Sequence, residues 1–357
     1  MATIVYEKAD ENRYPHENDV LEREFADGGF SKGWAMQSKP TPNYFFDAHV
    51  HYLGPTDKPL KICLKEHTDA AESIDIKRSL IFTQIYKSKW NYNMLTKTVM
   101  DKFPYFKVEE IKDQIHESNA DPRHVWAAYM NYFSSEPDLV HEAADAGIRC
   151  IKLHNSTVIE NNVSPDIWLS KEWTDVFKAI EERELPINFH ATQRISASHY
   201  TGAARNSYWA KGWNNGTSYT NEDLFKVFLT CCKRYPKINF IGAHQLHMGW
   251  ERLDQLFTGY PNLYVDTSCG CVLRLYHDFY PNDKEYLRKI FIRWADRIIF
   301  GTDCFWGMPD MPLNIESNVR HMRFIHALDL PEVVLNKICY ENQERLCKIK
   351  PLSQYIN

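Results

Sequence analysis

The stretch Phe45-Phe46-Asp47-Ala48-His49-Val50-His51 joins an apolar start to an Asp-x-His-x-His ending. Alternate residues on a strand share a face, so a strand here would aim Asp47, His49 and His51 the same way. Two neutral imidazoles side by side form half of a zinc-type site, because ring nitrogen is the commonest protein ligand for zinc and similar metals. A half-buried strand with two surface histidines would carry the same residues, and only further ligands from elsewhere in the chain separate the two cases. Such residues exist. Lys152 and His154 end the apolar run Ile148 to His154, His190 ends Ile187 to His190, His244 ends Ile238 to His244, and Asp303 ends Arg297 to Asp303.

To bring these residues together, the runs must lie side by side. Eight apolar runs alternate with amphipathic stretches: the four just named, Tyr44 to Val50, Ser79 to Gln84, Val125 to Met130 and Leu263 to Asp266. Between them, helical periodicity is read over Glu136 to Ala146, Lys171 to Glu184, Asn221 to Tyr235, Gly249 to Gly259, Lys284 to Ala295 and Ile315 to Leu328, with a terminal helix from Pro331 to Ile349. Gly147 and Pro186 punctuate two helix-to-strand handovers. The pattern predicts an α/β chain of the (β/α)₈ TIM barrel class, in which strand ends converge on one mouth. A doubly wound sheet is the alternative, but no Gly-x-Gly-x-x-Gly follows any run and the polar ends are spread over many strands. We expect residues 1–43 to form a polar N-terminal extension to a barrel spanning 44–357, and Trp90 to Asn119 to be a partly helical insertion serving as a cap or oligomer contact.

Composition narrows the partners. In 357 residues, 25% are charged and 44% hydrophobic, the balance of a chain with a sizeable core. A net charge of −5 with interspersed signs offers no basic face for nucleic acid or an anionic membrane. Nine cysteines scattered through apolar segments of a long chain suit reduced, buried thiols better than a disulfide framework. With no leader-like start and no apolar run near membrane-helix length, the expectation is a cytoplasmic homo-oligomer acting on a small-molecule substrate.

From Tyr44 to Ile349 the chain resembles the amidohydrolase superfamily, in the branch that holds aminocarboxymuconate-semialdehyde decarboxylase, resorcylate-type decarboxylases and lactonases. Carrying the resemblance are Phe46 to His51, Gly147-Ile148-Arg149-Cys150-Ile151-Lys152-Leu153-His154, Pro186 to His190, Phe240-Ile241-Gly242-Ala243-His244, Tyr260 to Ser268, Phe300-Gly301-Thr302-Asp303 and the late Glu341 to Leu346. It implies one divalent metal ion, zinc (Zn2+) or else manganese (Mn2+), on His49, His51 and His190, with Asp303 as ligand or proton acceptor and His244 as general base or electrophile. Three imidazoles leave a coordination position open for water, whose pKa falls to about 7 on zinc.

This chain departs from the family at several positions. Gln245-Leu246-His247-Met248-Gly249 stands where relatives continue His-x-Gly-Gly, so His247 would replace or assist His244. His190 is followed by Ala191-Thr192-Gln193 and not by the decarboxylases' His-Pro-Trp-Asp. Lys152 matches the site of a carbamylated lysine that bridges two metals in binuclear relatives; the other reading keeps one metal and gives Lys152 to the substrate, with His154 as ligand or as a group orienting its neighbours. Substrate-wall candidates are Arg194, His199, Tyr200, Arg205, Tyr208, Trp209 and Trp213 in the long loop after the fifth run, Arg274 and His277 after the seventh, and Phe305 and Trp306 after the eighth. Arginines among aromatics suit a small planar or carboxylate-bearing substrate, and equally a lid packed on the rim. The resemblance implies a hydrolase using metal-activated water on a carboxylic ester, lactone or amide. A metal-dependent non-oxidative decarboxylase of an aromatic or unsaturated acid is the alternative. A catalytically silent scaffold barrel would show a broken ligand set, and here the set is intact.

Overall fold

A computed structural model describes residues 41–52, 59–86, 105–107, 112, 115, 121–133, 136–155, 158–159, 162–192, 219, 221–247, 250–268, 281–306, 318, 322, 325–326 and 328–355. Residues 1–40 of the expected extension, and all of the insertion but 105–107, 112 and 115, lie outside them.

The strands are β1 (Phe45–Tyr52), β2 (Ile76–Tyr86), β3 (Tyr105–Lys107), β4 (His124–Met130), β5 (Cys150–His154), β6 (Ile187–His190), β7 (Phe240–Gly242), β8 (Leu263–Asp266), β9 (Ile298–Ile299) and β10 (Cys304–Trp306). They hydrogen-bond in the order β10-β1-β2-β4-β5-β6-β7-β8-β9, with β3 on the end of β2. Every pairing is parallel. β9 and β10 are two halves of one segment, so the sheet returns on itself, and Ala48 N donates to Phe300 O at 3.0 Å across the closure. This is the (β/α)₈ barrel that the alternating runs predict. Its eighth strand is interrupted, because Asp303 takes a left-handed φ of 62° between the halves.

Helices α1 (Leu60–Glu72), α2 (Pro137–Asp145), α3 (Lys171–Glu182), α4 (Asn221–Arg234), α5 (Trp250–Gly259) and α6 (Pro281–Arg293) connect the strands. In α3, Ser170 caps the first turn by accepting from Trp173 N at 3.3 Å, and Trp173, Phe177 and Ile180 recur at helical spacing as its buried face. Burial of each such large side chain contributes roughly 1.5–3 kcal/mol. Two elements escaped the sequence reading. α1 buries Cys63, Leu64, His67, Thr68 and Ala71, a face too polar to stand out by hydropathy. β3 lies in the insertion, for which no strand is read from the sequence.

The terminal segment closes the barrel from below. A helix from Glu332–Asn336 passes through a π turn at Lys337–Glu341 into Asn342–Leu346, so the single helix expected there is interrupted. Gln343 Nε2 faces the carbonyls of Phe46 (3.2 Å), Phe300 (3.3 Å) and Ile338 (2.9 Å), and Asn342 Nδ2 donates to Ala295 O (2.6 Å) and Ile298 O (2.9 Å). Amide side chains thus bind backbone carbonyls of the first strand, the eighth strand and the segments beside them. Beside them Glu344 Oε1 accepts from Arg78 Nη1 and Tyr44 Oη, both at 2.5 Å, tying the C-terminal segment to the feet of β1 and β2.

Candidate metal centre

β1 departs from even alternation between Asp47 and Val50, where its register against β2 shifts. Asp47 is turned into the closure, its Oδ1 accepting from His49 N (3.1 Å) and Thr302 N (3.0 Å) and its Oδ2 from Thr302 Oγ1 (2.5 Å). Burial pushes the Asp47 carboxyl up to about 7 despite these bonds. Its task is to hold the broken eighth strand against the first. Gly301 sits against His49, where an added Cβ would lie 3.0 Å from the His49 Cβ.

With the strands so fixed, His49 Nε2 lies 3.2 Å from His51 Nε2 and 3.2 Å from Asp303 Oδ1, and His51 Nε2 lies 3.3 Å from the same oxygen. Lys152 Nζ, at 3.2 Å from His49 Nε2, also donates to Asn188 Oδ1 at 2.6 Å and lies 4.8 Å from the Phe82 ring centre. Burial pulls the Lys152 ammonium down to about 8, against the pull of the Asp266 and Asp303 carboxylates. Burial also lowers His51 to about 4, its bond with Asp303 notwithstanding. It works to raise Asp303 as well, but the His51 hydrogen bond and the His49, His51 and Lys152 charges hold that carboxyl below its usual range.

Behind His49 stands Asp266, a residue the sequence reading left without a role. Its Oδ2 faces His49 Nδ1 (2.8 Å) and Asn188 Nδ2 (2.9 Å), and its Oδ1 faces Ser268 Oγ (2.5 Å), His244 N (2.8 Å) and Ser268 N (3.2 Å). Burial works to raise this carboxyl, but the charge and hydrogen bond of His49, with Lys152 and Ser268, hold it well below the carboxylate range. The signal was available, since Asp266 ends the seventh run as Asp303 ends the eighth.

The remaining histidines form an adjoining group. β7 stops at Gly242, two residues short of the expected strand end, because His244, Gln245, Leu246 and His247 adopt φ of 57°, 50°, 56° and 50°. A left-handed non-glycine residue costs on the order of 1–3 kcal/mol and persists only where its surroundings impose it. Those surroundings are visible: His244 N bonds Asp266, Gln245 Nε2 reaches Asp266 O, and Thr192 Oγ1 donates to Leu246 O at 2.5 Å. The turn stacks the His247 and His244 rings at 5.0 Å. His244 Nε2 lies 3.1 Å from His190 Nδ1, and the His154 ring centre is 3.9 Å from that of His190. Burial, with the neighbouring cationic groups, holds His154, His190 and His244 well below the usual imidazole value.

Among the described residues, the sets within mutual ligand distance are therefore His49, His51 and Asp303; His190, His244 and His247; and His49, His244 and Asp266. His190, expected beside His49 and His51, falls in the second set, and His244 joins it to the first with rings 4.9 Å apart. The first set fits a divalent cation. His49 Nδ1 lies 2.8 Å from a carboxylate, and its Nε2 faces another imidazole nitrogen and a carboxylate oxygen. Metal bonds of about 2.1 Å put neighbouring donor atoms about 3.0–3.4 Å apart, the spacing found here. Arg194, His199, Tyr200, Arg205, Tyr208, Trp209, Trp213, Arg274 and His277 lie outside the described residues, as do the side chains of Phe305 and Trp306, whose backbone pairs with His51 and Tyr52.

A family model described as Amidohydrolase matches residues 94–348. The chain belongs to the amidohydrolase family. That match starts beyond Asp47, His49 and His51, so it is the fold that joins the first strand of this amidohydrolase to the family's barrel. No curated protein gives a significant sequence match. Among solved structures, 5-carboxyvanillate decarboxylase LigW from Sphingomonas paucimobilis superposes with a TM-score of 0.51 at 12% identity, over 86% of this chain and 99% of that one. The 5-carboxyvanillate decarboxylase of Novosphingobium aromaticivorans, complexed with manganese and 4-hydroxy-3-methoxy-5-nitrobenzoic acid, gives 0.54 at 10% identity, over 88% and 100%. A probable 2-pyrone-4,6-dicarboxylic acid hydrolase from Acinetobacter baumannii gives 0.51 at 11% identity, over 85% and 99%. These likenesses show a shared barrel. No helix among the described residues is long and apolar enough to cross a membrane, and seven described cysteines are buried free thiols.

Proposed function

We propose that this amidohydrolase-family chain is a metal-dependent hydrolase of a carboxylic ester, lactone or amide in a small molecule. The observation that supports it most is the convergence of His49 Nε2, His51 Nε2 and Asp303 Oδ1 within 3.3 Å of one another. In the proposal His49 and His51 hold one divalent cation, zinc or manganese, with Asp303 beside them. His190 either joins this set as a third imidazole or remains with His244. Such a cation supplies Lewis acidity and water activation near neutral pH.

The chain's own residues do the rest. Asp303, held below the usual carboxylate range by His49, His51 and Lys152, accepts the proton of an attacking water on its carboxylate. His244, neutral in its buried setting, carries a proton to or from the leaving group, and the stacked His247 assists it. The Lys152 ammonium, fixed by Asn188, stabilises negative charge developing on the substrate carbonyl oxygen. By side-chain chemistry alone, Arg194, Arg205 and Arg274 suit a planar or carboxylate-bearing substrate.

A second reading is decarboxylation of an aromatic acid, favoured by the two 5-carboxyvanillate decarboxylases of like fold, one of them holding manganese. Against it stands Ala191-Thr192-Gln193 after His190. A panel of aryl esters, lactones, amides and hydroxybenzoates, tested on the zinc- and manganese-loaded full chain, separates the two. Hydrolysis products without carbon dioxide are expected. Carbon dioxide released from a hydroxybenzoate, with no hydrolysis anywhere in the panel, would overturn the hydrolase in favour of the decarboxylase.

A further inference from the structure

One serine hydroxyl serves two histidines from different strands. Ser268 Oγ lies 2.5 Å from Asp266 Oδ1, 2.8 Å from His244 Nδ1 and 3.1 Å from His49 Nδ1, and all four side chains are buried. The protons of this group can be counted. Four donors of fixed direction face Asp266: two backbone N–H groups, the Asn188 amide and the Ser268 hydroxyl, and the His49 ring lies beside them. A carboxylate so surrounded is an acceptor only, so the single Ser268 proton goes to Asp266 Oδ1. Ser268 Oγ then meets His244 Nδ1 with a lone pair, and that nitrogen must carry the hydrogen. His49 Nδ1, facing Asp266 Oδ2 at 2.8 Å and the same serine oxygen, must carry one too.

We propose that Asp266 and Ser268 are positioning residues that lock His49 and His244 together as Nδ1–H tautomers, through the one hydroxyl that both rings share. Each ring then presents Nε2 without a proton, His49 toward His51 and Asp303, His244 toward His190 Nδ1 at 3.1 Å. The functional meaning rests on the reading above, in which His49 holds a cation and His244 carries a proton. The tautomers themselves do not depend on it. The lock also explains the left-handed turn, which brings the His244 amide and its ring to the same Asp266–Ser268 pair.

The test is a long-range proton–nitrogen spectrum of the full chain labelled with ¹⁵N-histidine, metal-free at pH 7.5, with His49→Gln and His244→Gln for assignment. The expected wild-type spectrum shows both rings as Nδ1–H. Ser268→Ala should move His244 toward Nε2–H or a mixture, and Ser268→Thr should restore the wild-type pattern. Asp266→Asn turns an amide N–H₂ toward His49 and should force that ring to Nε2–H, weakening Zn2+ binding by calorimetry about 10–100-fold. If Asp266→Asn does not fold, Ser268→Ala decides alone. Nδ1–H patterns unchanged in a folded Ser268→Ala chain would overturn the lock, even if the wild type binds zinc. Tautomers that change as expected in a chain that binds neither zinc nor manganese would sustain the lock and overturn the metal reading.

Discussion

His49 and Asp303 meet across the closure of the barrel, Nε2 to Oδ1 at 3.2 Å. One comes from the first strand and the other from the break in the eighth, so the distance exists only in the folded chain. If Asp303 takes the proton of the attacking water, Asp303→Asn should fold normally and lower kcat about 10²–10⁴-fold. Circular dichroism and steady-state kinetics on the metal-loaded enzyme check this, and an unchanged kcat removes Asp303 from proton transfer.

Gly242 makes room for the left-handed turn. A Cβ there would stand 2.5 Å from Leu246 Cγ, a distance that requires movement. Gly242→Ala should cost about 1–3 kcal/mol through overpacking. In urea unfolding the same change should cost less in a Leu246→Ala background. Equal costs in the two backgrounds would show that the contact is not what excludes a side chain from residue 242.

Arg78 and Glu344 pair at 2.5 Å with side chains 2% and 6% exposed, and Tyr44 shares the carboxylate. Removing one partner of a buried pair leaves the other uncompensated, so Glu344→Ala should destabilise by about 3–5 kcal/mol. The double variant Arg78→Met with Glu344→Leu should be less damaging than Glu344→Ala alone. A loss below ~1 kcal/mol for Glu344→Ala would mean that water reaches the guanidinium.

His67 gives stability a pH dependence away from the candidate site. Burial, and secondarily the facing His124, lowers its pKa from an ordinary 6.5 to about 3, and its Nε2 lies 3.0 Å from Ser79 Oγ. As pH falls below 6.5, the unfolded chain binds a proton here that the folded chain refuses, so stability must fall with pH down to about 3. Replacing His67 with Gln removes this site, and urea midpoints at pH 7.5 and pH 5.0 should then differ less than in the wild type. An undiminished difference would assign the acid sensitivity to the other buried histidines.

Much of this architecture is written in period and punctuation. Ile187–His190 and Leu263–Asp266 coincide with their apolar runs, because a strand buried on both faces shows up as an unbroken apolar stretch. Where side chains replace the ladder as backbone partners, the pattern fails. The run to His244 ends early at Gly242 because Asp266 and Thr192 hold the next residues left-handed, and the run to Asp303 breaks because Asp47 captures Thr302. Helix α1 hides His67 and Thr68 on its buried face, which reads as polar. The histidines and Asp303 were recognisable as strand ends. Asp266 ends a run too, but its role, like those of Asn188 and Ser268, lies in hydrogen bonds between strands distant in sequence.

A metal site on His49, His51 and Asp303 is tested most directly by the metal content per chain, measured by elemental mass spectrometry. The measurement should be made on protein purified without chelator, then stripped and reloaded with zinc or manganese. About one ion per folded wild-type chain is expected, and less than about a tenth of that in His49→Ala chains of unchanged fold. A folded wild-type chain that takes up neither metal, or a folded His49→Ala chain that keeps its full complement, would contradict it.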